Sequence, residues 1–141
     1  MKAALFGLGR RLPRRLAAGI RQLEEPGGLR QTWDLLAVTR RGAGLLADSA
    51  VCCRCGTLLI PGDLGEEMLA HAAARRVVSV GLDRRDSLTF SSLTDSGAVL
   101  CVQRTLLRPD GGEVEPQEIP LPRLQLPPEE ALLLWGLRLL G

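Results

Sequence analysis

The sequence predicts a small single-domain α/β protein. Its mixed β-sheet has a strand–helix–strand unit followed by antiparallel strands, with helices flanking it at the N- and C-terminal ends. Three observations point there. Thr57-Leu58-Leu59-Ile60 is a compact apolar run closed by Pro61-Gly62, as expected of a buried strand. Asp63 and Glu66 make a capping-box-like pair at the start of a stretch in which Leu64, Met68 and Ala72 recur at helical spacing. After Val77-Val78-Ser79-Val80-Gly81 the pattern changes to short alternating runs separated by turn residues.

The remaining elements follow in chain order. Residues 1–25 read as a basic helical arm. Leu5, Leu8, Leu12, Leu16, Ile20 and Leu23 fall near helical spacing, Pro13 interrupts them, and Lys2, Arg10, Arg11, Arg14, Arg15 and Arg21 outnumber Glu24 and Glu25. Pro26-Gly27-Gly28 marks a boundary, after which an α/β domain covers 26–126. A second helix is expected from Leu29 to Arg40 with Leu29, Trp33 and Leu36 on one face and Gly42 as its stop. Leu45-Leu46-Ala47 reads as a short strand, and a cysteine cluster follows.

Beyond Gly81, Ser87 to Leu93 alternates, Thr94-Asp95-Ser96-Gly97 turns, and Ala98 to Leu107 reads as one long, central strand. Pro109-Asp110-Gly111-Gly112 is a second turn. Glu113 to Ile119 is a strand that Pro116 confines to a sheet edge. Pro120, Pro122, Pro127 and Pro128 make a stiff connector, and residues 127–141 close the chain as a helix packed on the domain.

From Thr57 to Pro122 this order resembles the closing part of the central domain of Mur ligases, the enzymes that add amino acids to peptidoglycan precursors. The matching stretches are Leu58-Leu59-Ile60-Pro61-Gly62-Asp63 and Val77-Val78-Ser79-Val80-Gly81-Leu82-Asp83, followed by Asp86 to Ser92 and Ala98 to Leu107. The resemblance implies a shared scaffold and stops there. Those ligases hold nucleotide phosphates with a glycine-rich loop ending in Lys-Ser/Thr, and this chain has no lysine after Lys2. Gly7-Leu8-Gly9-Arg10-Arg11-Leu12 also fails the dinucleotide pattern, since Leu12 stands where the last glycine belongs and no strand is expected before it.

Composition bounds the chemistry further. A net charge of +2 over 141 residues does not describe a polyelectrolyte binder, and seventeen of the eighteen basic residues are arginine, a bias read as coding composition. Three of the four cysteines crowd into 52–55, unlike the spaced framework of a secreted scaffold, so a reducing, cytoplasmic setting is expected. No apolar run reaches the ~18 residues that span a bilayer.

Two constellations stand out. Asp63, Asp83, Arg84, Arg85 and Asp86 fall in loops after predicted strands, where open α/β sheets take ligands. Cys52 and Cys55 have the spacing of a zinc knuckle or a dithiol centre, with Cys101 and His71 as further soft ligands; otherwise they are packed thiols. No serine-hydrolase or phosphate-loop signature is present. The expectation is therefore a non-catalytic binding or accessory module without a cofactor, zinc being the one metal the cysteines could take. Protein partners would meet the N-terminal arm or the C-terminal helix. Nucleic acid or an anionic surface at the arm is the further alternative, although the arginines lack interleaved aromatics for base stacking.

Overall fold

The computed structural model describes residues 1–141. Ten strands run in the order β1 (Ala3–Phe6), β2 (Arg21–Leu23), β3 (Thr32–Val38), β4 (Cys53–Pro61), β5 (Ala72–Val80), β6 (Leu88–Thr94), β7 (Gly97–Val102), β8 (Leu106–Leu107), β9 (Glu113–Val114) and β10 (Gln117–Leu121). Four α-helices join them: α1 (Arg14–Ala17), α2 (Arg40–Ala47), α3 (Gly65–Leu69) and α4 (Pro128–Leu140). Eight strands form one mixed sheet in the order β10-β7-β6-β5-β4-β3-β1-β2, and β8 and β9 pair separately. From β2 across to β6 every pairing is parallel, although β5 and β6 touch only at Val80 and Leu88. The β6–β7 and β7–β10 pairings are antiparallel. The predicted α/β class, the mixed sheet and the C-terminal helix are all present.

Both faces of the parallel part of the sheet are covered, as parallel strands require. One core holds Leu5, Leu35, Ala37, Leu59, Val80 and Leu88 together with α4 and the segment around Leu12 and Leu16. The other holds Phe6, Trp33, Leu36, Val38, Leu58 and Ile60 beneath Leu46 of α2 and Met68 of α3. Helix α4 is apolar nearly all round: Leu132, Leu133, Leu134, Leu137 and Leu140 are buried. Each such leucine is worth roughly 1.5–3 kcal/mol of transfer free energy, so this closing helix is a large part of the stability.

Four expectations are corrected. Residues 1–25 are not a helical arm. β1 lies inside the sheet between β2 and β3, and only Arg14–Ala17 is helical. The helical spacing was misleading because Leu5, Leu8, Leu12, Leu16 and Ile20 all face one core from a strand, a loop and a short helix in turn. Gly7 and Gly9, at φ of +87° and +77°, keep the segment from continuing as one helix. The stretch expected as a helix over 29–40 is β3, and the expected strand at Leu45-Leu46-Ala47 belongs to α2. Leu29, Trp33 and Leu36 do share one core, but from a 3-10 turn and a strand.

The third correction concerns the helix after Asp63. It is one short turn ending at Leu69, because β5 begins at Ala72. The fourth is that β7 ends at Val102, and Leu106–Leu107 belong to the separate hairpin. The single strand expected over Glu113–Ile119 is split at Pro116 into β9, in the separate hairpin, and β10, at the edge of the main sheet, and Pro120, expected in the connector, lies within β10.

Candidate functional site

The parallel strands β1, β3, β4 and β5 all end at one edge of the sheet. Beyond β3 stand Thr39 and Arg40, beyond β4 Gly62 and Asp63, and beyond β5 the loop Gly81–Asp86. Three of these loops and the first turn of α4 enclose an open cleft of about 600 Å³. Arg40, Asp63, Asp83, Arg85, Asp86 and Glu129 supply its charged lining.

Arg40 spans the cleft. Its Nη1 and Nη2 donate to the two oxygens of Asp63 at 3.0 and 2.8 Å, and its Nε and Nη2 donate to Glu129 at 3.3 and 2.9 Å. One guanidinium thus fastens the loop after β4 to the start of α4. The hydrogen bond from Arg40 holds the Asp63 carboxyl below the usual carboxylate range, and the bonds to Asp63 and then Glu129 raise the pKa of Arg40. Both side chains are more than half exposed, so the bridge organises the cleft more than it stabilises the fold. Asp63 therefore does not cap a helix as expected, since α3 starts without a side-chain cap.

The loop after β5 is built around Asp86, which is only 7% exposed. Its Oδ2 accepts the Asp83 amide at 3.1 Å, and Asp83 Oδ1 accepts the Arg85 amide at 2.8 Å, which makes a self-bonded turn. Gln103 Nε2 ties the turn down by donating to the carbonyls of Asp86 at 2.8 Å and Asp83 at 3.2 Å. The Asp86 carboxylate lies directly against Gly62 and Gly81, where a Cβ on either glycine would collide with it. The absence of side chains at those two positions is thus what lets a carboxylate sit between the ends of β4 and β5. Leu82, 79% exposed, projects at the mouth of the cleft.

Asp63, Asp83, Arg85 and Asp86 are brought together as the sequence suggested, whereas Arg84 lies outside the lining with its carbonyl accepting from Arg104. Arg40, Gln103 and Glu129 were missed as site residues. Val38-Thr39 before Arg40-Arg41-Gly42 carried the signal for the first, because a β-branched pair whose threonine can cap marks a strand giving way to a helix. Thr39 does cap α2, accepting the Gly42 amide at 2.9 Å.

The thiols are placed differently. Cys53 and Cys55 point into the second core with Leu58 and Ile60, and Cys52 is exposed beside them. Cys53 and Cys55 stand on extended backbone rather than on a tight turn, so a Cys52/Cys55 pair is splayed along a strand. Cys101 is on β7, three strand positions across the sheet, roughly 14 Å at the usual inter-strand spacing. His71 is not mid-helix but in the turn before β5, where its carbonyl accepts the Cys53 amide at 2.9 Å. No three His, Cys, Asp or Glu side chains converge as a metal site would need. Burial, assisted by the neighbouring thiol, pushes Cys53 up to about 11 and Cys55 up to about 12, opposite to the direction that activates a thiol.

At the other end of the same sheet edge the strand order reverses, since the chain passes from β1 out to β2 and then returns to β3. Such a crevice is a common ligand site, but here it is filled. Gly7 packs against the backbone of Gly42, and the Thr39 hydroxyl donates to Gly7 O at 2.6 Å. The turn Gly7-Leu8-Gly9 does follow a strand, contrary to expectation. Its Gly9 amide is occupied by Glu24, both oxygens of which lie 3.0 Å away, while Arg41 holds the same carboxylate at 2.9 Å.

No family model, curated protein or solved structure matches the chain. No helix is long and apolar enough to cross a membrane.

Proposed function

We propose that the protein is a non-catalytic binding module that takes a small polar ligand in the cleft beyond β3, β4 and β5. One observation carries the reading: the loops after residues 60 and 81, selected from the sequence alone, meet across a single cavity. The cleft presents charges of both signs. Arg40 is already neutralised by Asp63 and Glu129, which leaves Arg85 as the lining cation without an ion pair and Asp83 and Asp86 as carboxylates beside it. A ligand carrying both an anionic and a cationic group matches that pattern. Its volume lies within the range usual for small-molecule sites. Scaffold kinship with Mur ligases is supported by the element order over 57–122, and without a phosphate-loop lysine it would extend to the scaffold alone.

The test is a thermal-shift screen with small zwitterions, anions and cations. A zwitterion should raise Tm in the native chain and lose that effect in Arg85→Ala, whose own Tm should be near native because the side chain is exposed. Equal stabilisation of native and Arg85→Ala protein by every hit would contradict the assignment. So would turnover that disappears on changing Asp63, Arg84 or Asp86.

A further inference from the structure

On the face of the sheet covered by α4, away from the cleft, a second depression of about 290 Å³ opens between α1, the segment Pro122–Leu126 and α4. Its walls are apolar: Leu16 from α1, Leu124 from the connector, and Leu134 and Trp135 from α4. Its polar lining is Arg15, Arg123, Arg138 and Gln125, with no carboxylate among the lining residues. That separates it from the cleft, whose lining carries four carboxylates.

The three arginines are not equivalent. Arg138 Nη1 donates to the carbonyls of Arg15 and Leu16, both at 3.0 Å, and its guanidinium lies 5.3 Å from the centre of the Trp135 ring. It pins α1 to α4 and so makes the wall of the groove. Arg15 and Arg123 take part in none of the ion pairs of the structure, which engage Arg10, Arg40 and Arg41. Arg11 and Arg14, exposed on the neighbouring turn, are equally without carboxylate partners. The groove is thus an apolar slot beside two guanidiniums that take part in no ion pair, with no carboxylate in its own lining and the neighbouring Glu130 paired with Arg10.

We propose that this groove binds a single-chain anionic amphiphile, a carboxylate or phosphate monoester bearing one alkyl chain. The chain would lie on Leu16, Leu124, Leu134 and Trp135, with the head group between Arg15 and Arg123. Charge complementarity selects the sign. The small volume, at the bottom of the range for ligand pockets, favours one alkyl chain over a bulkier ring system. Guanidinium groups suit the head because their planar forks pair with carboxylate and phosphate oxygens two at a time.

The experiment titrates the full chain with decanoate below its self-association concentration. Binding is followed by tryptophan fluorescence, since Trp135 lines the groove while Trp33 is buried in the opposite core, and by calorimetry for stoichiometry. Decanol and decyltrimethylammonium serve as neutral and cationic chains of the same length. Saturable binding of one decanoate per chain is expected, at least tenfold tighter than decanol, with no binding of the cation. The double variant Arg15→Ser, Arg123→Ser should weaken decanoate tenfold or more and leave decanol unchanged. Both side chains are exposed, so that variant should fold; Leu16→Gln, judged by the same charge series, is the second route if it does not. Equal binding of all three chains, several decanoates per chain without saturation, or no response would overturn the proposal. Capture of the protein by phosphatidylglycerol vesicles without binding of free decanoate would also overturn it, in favour of a membrane surface.

Discussion

At the seam between β1 and β3 the edge of the sheet is filled by backbone, whereas between β4 and β5 it is filled by one carboxylate next to open space. In the first region Gly7 and Gly42 touch, and the Thr39 hydroxyl donates across the seam to Gly7 O while accepting the Gly42 amide of its own helix. In the second, Gly62 and Gly81 make room for Asp86 and leave a cleft lined with charge. Glycines serve both regions, but what each glycine faces differs. Against main chain a glycine seals a crevice; against the tip of a side chain it makes a polar pocket. Strand order would favour a site at the reversal between β1 and β3, yet packing moves the open space to the neighbouring strands.

Substitutions sharpen that contrast. The largest effect should come from Gly7→Ala, which adds a Cβ at φ +87° and directs it at Gly42 main chain. Strain and overpacking together should cost about 3 kcal/mol or more, read as a lower urea midpoint. Gly42→Ala, meeting the Phe6 carbonyl at 2.6 Å, should cost nearly as much. Gly62→Ala should cost less, about 1–2 kcal/mol, because what it meets can turn away. In an Asp86→Ala background most of that penalty should vanish, and a double-mutant cycle reads the coupling directly. If Gly62→Ala costs the same with and without Asp86, the carboxylate is not what occupies the gap.

Smaller effects concern the Arg40 bridge. Arg40→Gln should lower stability by at most about 1 kcal/mol, and by less in high salt, since both ends are exposed. The smallest is its pH dependence. The folded-state pKa of Asp63 is depressed, so its contribution is present above the ordinary carboxylate range and lost as pH falls through the lowered value. The stability difference between native protein and Asp63→Asn should therefore shrink to zero on acidification, and a difference that grows instead would contradict the bridge.

The two regions were also unequally legible in the sequence. Over 57–122 the strands ending at Pro61 and Val80 and the turns at Thr94–Gly97 and Pro109–Gly112 could be read because Gly or Pro stands where the chain reverses, whereas the helix after Asp63 and the strand after Ala98, which lack such marks at their ends, were read too long. Before residue 50 the elements were misread. Leu29, Trp33 and Leu36 fit an α-helical period by coincidence, since all three are buried on one side of the sheet from a 3-10 turn and a strand. In β4 the alternation of faces also slips, so that Cys53, Cys55, Leu58 and Ile60 share a core although simple alternation would split them. Asp63, Asp83, Arg85 and Asp86 were legible as loop residues after strands. Arg40 and Glu129 were not, because their roles depend on which strands are neighbours.

The most direct measurement of the central claim is a two-dimensional amide spectrum of the isotopically labelled chain, recorded while a stabilising zwitterion is titrated. Shift changes should concentrate at Gly62, Gly81, Asp83 and Arg85, while Gly7, Gly9 and Gly42 stay fixed. Changes centred on Gly7 to Gly9 and Gly42, with Gly62 and Gly81 unmoved, would contradict the account: the sealed end of the sheet would then be the one that opens to ligand.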